Sequence, residues 1–111
     1  MILGLLPDVS NVGTLLSNLS EADFDLADVS VIMKDVKQRN AVARDRGPLK
    51  GATMKNLAGR LSQAGLSEDK AKLCTDALAQ GQVLIAMAVS PESEPAAKEM
   101  LQDHSAKLVE A

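Results

Sequence analysis

Apolar positions in this chain fall into short blocks divided by polar turns, and the spacing within a block says which element it builds. Ile2–Leu6 is an unbroken apolar run stopped by Pro7, the pattern of a buried strand. Val12, Leu15, Leu16 and Leu19 then recur at helical spacing and predict a helix over residues 9–19, with Asp8 or Ser10 placed to cap it. Residues 20–28 form an acidic connection whose Phe24 and Leu26 are expected under that helix. Val29, Val31, Ile32 and Met33 are mostly β-branched and predict a second strand. Strand, helix and strand make a βαβ unit, with its two strands parallel and a right-handed crossover between them.

Residues 35–50 are polar and basic and contain Gly47-Pro48. They predict a mobile loop with a short helical piece near residues 41–43. Met54, Leu57, Ala58 and Leu61 then make one apolar stripe on a helix of residues 53–63, stopped by Gly65. Ser67 is an N-cap candidate for the next helix, in which Glu68 and Asp69 oppose the dipole and Ala71, Cys74, Ala77 and Leu78 form the inner face. The run Val83 to Val89 is the most apolar stretch and reads as a central strand covered on both faces. Ser93, Glu94 and Pro95 open a last helix with Ala97, Met100 and Leu101 inward, and residues 106–109 close as an edge strand. The order predicts an α+β domain of the ferredoxin-like class, a split βαβ sandwich. Its four-stranded antiparallel sheet carries helices on one face, and residues 34–66 form a basic loop-helix insertion between strands 2 and 3. Residues 1–111 read as a single domain.

Charge alters this picture more than composition does. Residues 34–60 hold eight Lys and Arg against two Asp, a balance of +6, while the rest of the chain carries −9. The total of −3 therefore hides a basic centre within an acidic body, and such a centre reads as a contact surface. Phe24 is the only aromatic, so the core is built from aliphatic side chains, with less buried area per residue than aromatics supply. The lone Cys74 excludes an internal disulfide. No apolar run reaches the roughly 20 residues of a membrane span, and the start lacks the basic region of a signal peptide. A cytoplasmic location is the expectation.

The strand Ile2–Leu6 leading into a helix, the stretch Phe24–Ile32 of the form F-x-x-x-D-V-S-V-I, and Gly65–Ala71 followed by Gly81–Ile85 together resemble a known group. The last two segments are similar to that group's "G-hydrophobic-x-E-x-x-A" and "G-x-V-L-hydrophobic" patterns. The group is the bacterial general-stress-protein-like, or heat-induced stress protein, family of small domains. The resemblance covers most of the chain. It implies a ferredoxin-like domain, no assigned chemistry and a loose link to stress. Members often have a Gly/Ala-rich apolar middle where this chain is basic, and no functional residue is carried over.

Individual residues offer little catalytic promise. Cys74 lies on an apolar helix face, where a free thiol behaves as a small hydrophobe. His104 follows a helix and lacks neighbours for a metal site, so a capping or solvent-exposed role is expected. Glu68/Asp69 and Glu92/Glu94 stand where helix starts favour negative charge. The stretch Arg44–Gly51 lacks the residue order of a phosphate loop, and without aromatics to stack bases nucleic acid is disfavoured. Met87 and Met100 read as core, and Met54 is left open between core and surface.

No cofactor, metal or catalytic residue is expected. The first reading is a non-enzymatic interaction or self-assembly protein. Its contact residues would be Arg39, Arg44, Arg46, Lys50, Met54, Lys55, Leu57, Arg60 and Leu61, meeting an acidic partner or a second copy in a homo-oligomer. The alternative is a regulatory module whose basic segment binds a small anionic ligand such as a nucleotide. An enzyme, the third reading, would need His104 or Cys74 to find partners that the sequence does not advertise.

Overall fold

The computed structural model describes residues 1–109. The apolar runs pair into one four-stranded sheet: β1 (Ile2–Leu6), β2 (Val29–Ile32), β3 (Val83–Met87) and β4 (Lys107–Val109). Their order is β2-β3-β1-β4, and every neighbouring pair is antiparallel. Gly4 faces Ile85 and Leu108, and Val31 also faces Ile85. β1 and β2 point the same way because each runs against β3, which lies between them. The central position expected for the 83–89 run is observed, although the strand stops at Met87.

Strand alternation divides the interior in two. Ile2, Leu6, Val29, Val31, Val83, Ile85 and Met87 face α1 (Val12–Glu21) and α5 (Glu94–Asp103). Leu3, Leu5, Ile32, Leu84 and Ala86 face α3 (Leu57–Gln63) and α4 (Glu68–Ala79). The expectation of helices on one face alone is therefore corrected. β1 and β3 are buried at every position, and strands this apolar need a layer on each side. Gly4 lets the sheet come close to α5, since a Cβ there would stand 3.3 Å from both Leu101 and Ala106.

Helix caps follow local chemistry. Ser67 accepts the Lys70 N–H at 3.3 Å, and Glu68 and Asp69 occupy the first turn of α4. Asp8 accepts the Ser10 N–H and caps a short 3-10 turn, Val9–Asn11, so that α1 begins at Val12 rather than residue 9. Those bonds hold the Asp8 carboxyl below its usual range. α2 (Val36–Val42) lies in the expected loop and is longer and earlier than the short helical piece expected near residues 41–43. It buries no residue, so it has no apolar stripe to read, and its one strong signal is Asp35, which accepts the Gln38 N–H at 3.1 Å. α3 starts at Leu57 rather than residue 53, because Asn56 accepts the Thr53 N–H at 2.8 Å and holds that stretch as a turn.

Cys74 is fully buried between α4 and the sheet, as its apolar face implied. Burial pushes its thiol up from the ordinary value. A raised folded-state value means that the thiol's contribution to stability is complete below about pH 8.5 and is lost as the pH rises through that folded-state value. Thermal melts from pH 7 to 10.5 should fall more steeply for the parent than for Cys74→Ala, and a thiol reagent should label native protein far more slowly than unfolded protein. Parallel curves and rapid native labelling would contradict this placement.

Candidate functional site: the basic segment and the cavity beneath it

The β2–β3 connection is built onto the sheet rather than left loose, which corrects the expected mobile loop. Its anchor is Ser30, the buried polar residue of β2. The Ser30 hydroxyl donates to the Arg46 carbonyl at 2.7 Å and accepts the Leu49 N–H at 2.8 Å. Leu49, 2% exposed, enters the layer beneath α3 and α4. Gly47 between them has φ +88°, and a Cβ there would lie 2.6 Å from the Ser30 nitrogen, the Ser30 hydroxyl and the Val29 carbonyl carbon. Only glycine suits both that backbone angle and that approach.

A second set of contacts closes the loop. Asp45 accepts the Gly51 N–H at 2.9 Å and pairs with Arg39 at 3.2 Å. The Gly51 hydrogen bond, with a smaller contribution from Arg39, holds the Asp45 carboxyl below its usual range. Asn56 donates to the Gly51 carbonyl at 3.3 Å. The Arg39 side chain is only 14% exposed, and its Nε is buried with no hydrogen-bond partner among the described residues. An unpaired buried donor is costly, and structures seldom retain one without a reason.

The nine expected contact residues separate into groups. Arg44, Lys50 and Lys55 are exposed, and Arg46, Met54 and Arg60 are half-buried. None of these five cations, nor Lys37, forms an ion pair among the described residues. Arg39 is engaged by Asp45. Leu57 and Leu61 are corrected: both are 0% exposed and pack into the domain's own core, so they offer nothing to a partner. The apolar stripe that suggested an unpartnered helix is the inner face of α3 against α4 and the sheet.

Sequence reasoning missed a cavity of about 330 Å³ at the free edge of β2. Val31, Ile32 and Met33 form one wall, Val36 and Arg39 of α2 a second, and residues 52–55 a third. Lys34 and Lys55 also line it, and no carboxylate does among the described residues. The signal was present in part. Val36 is 52% exposed, an apolar residue on a helix with no inner face.

His104 caps α5, one of the two roles expected of it, and it also reaches a second helix. It ends α5 with Nδ1 2.7 Å from the Met100 carbonyl and Nε2 2.8 Å from Asn18 Nδ2, so the ring ties α5 to α1. Among the described residues no three His, Cys, Asp or Glu side chains converge as a metal site requires. No helix there is long and apolar enough to cross a membrane. Compared with known proteins, the chain matches no family model, no curated protein and no solved structure.

Proposed function

We propose that this chain is a non-enzymatic interaction protein whose basic segment, residues 34–61, is the contact surface. The strand order and antiparallel pairing support a ferredoxin-like scaffold, with α2, α3 and α4 inserted between its second and third strands. The observation that carries the reading is a set of cations without ion pairs on an anchored segment. Lys37, Arg44, Arg46, Lys50, Lys55 and Arg60 make no ion pair among the described residues, while Ser30, Gly47 and Leu49 fix the backbone that bears them. Fixed charges of one sign attract an oppositely charged surface and lose little freedom on meeting it. An acidic protein or the acidic body of a second copy has the matching chemistry. The family resemblance implies stress as a setting for this role.

Light scattering across a salt series tests it. Association at low salt that weakens at high salt is expected, as is its loss in a Lys50→Glu/Lys55→Glu variant. A strict monomer at every ionic strength, with no acidic protein captured, would overturn the reading.

The cavity favours a second reading, a regulatory module for a small anion. Its volume stands near the lower end of the range of about 300–1,000 Å³ typical of small-molecule pockets, and its charged lining among the described residues, Lys34, Arg39 and Lys55, is cationic.

A further inference from the structure

We infer that the cavity at the free edge of β2 takes a short aliphatic carboxylate, its tail against Met33, Val36 and Met54 and its head among Lys34, Arg39 and Lys55. This rests on the second reading above, that the basic segment receives a small anion, and it names the anion's class.

Three observations select that class. The walls are aliphatic: Val31, Ile32, Met33, Val36, Ala52 and Met54 supply the apolar lining, and two methionines provide a flexible, polarisable surface that adapts to an alkyl chain. No aromatic ring lines the site, so the stacking that holds a nucleobase has no counterpart, and the nucleotide considered from the sequence is the poorer fit. The charged lining is of one sign, and it includes a guanidinium with spare capacity. Arg39 lines the cavity and gives only Nη1 to Asp45. A carboxylate offers two acceptor oxygens, enough to meet the guanidinium and one lysine together.

The strand edge adds to the case. β2 is an outer strand, and no backbone hydrogen bond joins Val31, Ile32 or Met33 to residues 52–55. Gly47–Leu49 covers the edge at Ser30, and the cavity opens just beyond it. Val36, exposed on α2, would be covered by a bound alkyl chain.

Isothermal titration and amide chemical-shift mapping with four probes test the inference: octanoate, octanol, acetate and AMP. Octanoate should bind and shift residues 31–39 and 52–55. Octanol and acetate, each lacking one half of the recognition, should bind at least about tenfold more weakly, a loss of about 1.4 kcal/mol. Val36→Glu, at an exposed position, should weaken octanoate binding by a similar factor with the melting temperature unchanged. AMP binding tighter than octanoate at the same residues would overturn the ligand class and leave the anion-binding reading standing. No shift in residues 31–39 or 52–55 with any probe would overturn both. Equal binding of octanol and octanoate would show a greasy cleft with no head-group recognition, and would also overturn the inference.

Discussion

Gly47→Ala should cost at least about 3 kcal/mol, one of the largest effects of any single methyl group in this protein. A left-handed backbone angle alone costs a non-glycine residue about 1–2 kcal/mol. At Gly47 the new methyl would also meet the Ser30 backbone, which the sheet holds in place, at 2.6 Å. Relief requires the Arg46–Leu49 turn to lift, which breaks both Ser30 hydrogen bonds and draws Leu49 out of the core. The melting temperature should fall by more than about 12 °C, at about 4–8 °C per kcal/mol for a domain near this size. Gly51→Ala is the control. Gly51 has φ +81°, but its added methyl would meet nothing nearer than the end of the Arg60 side chain at 3.8 Å. It should lose only the backbone cost, about 1–2 kcal/mol. Equal losses at the two glycines would show that the turn is not anchored on Ser30.

Leu57→Ala should cost about 2–5 kcal/mol, the range for emptying a leucine site in a packed core. Leu57 is wholly buried and belongs to the layer that α3 and α4 lay against the sheet. Lys55→Glu, two residues away and exposed, should change stability by no more than about 0.5 kcal/mol, as surface substitutions do. Denaturant titration of the two variants therefore separates scaffold from contact surface within one short segment. A Leu57→Ala protein of parental stability with weakened association would restore Leu57 to the contact surface and refute its placement in the core.

These contrasts mark what the sequence could and could not reveal. β1 and β3 were legible because apolar runs bounded by Pro and Gly leave few other readings. β2 was legible through its β-branched residues, and α1, α4 and α5 through helical stripes and caps. The second helical layer was half visible. The run from Val83 demanded cover on both faces, but the stripe of Leu57 and Leu61 was assigned to a partner when it was the missing cover. A stripe identifies a buried face and does not say whether the burying surface belongs to the same chain. α2 escaped notice because it buries nothing. The cavity escaped because its three walls come from separate stretches of chain, 31–34, 36–39 and 52–55, and only folding brings them together.

The pairing pattern of the sheet also bears on how the chain is made. β1 lies between β3 and β4, and β2 pairs with β3, so every bonded strand pair is separated by a long stretch of sequence. On a ribosome, Ile2–Leu6 and Val29–Ile32 emerge early and stay unpaired until residues 83–87 have been synthesised. Folding must therefore be late and slow relative to helical domains of this size, with two sticky segments displayed throughout translation.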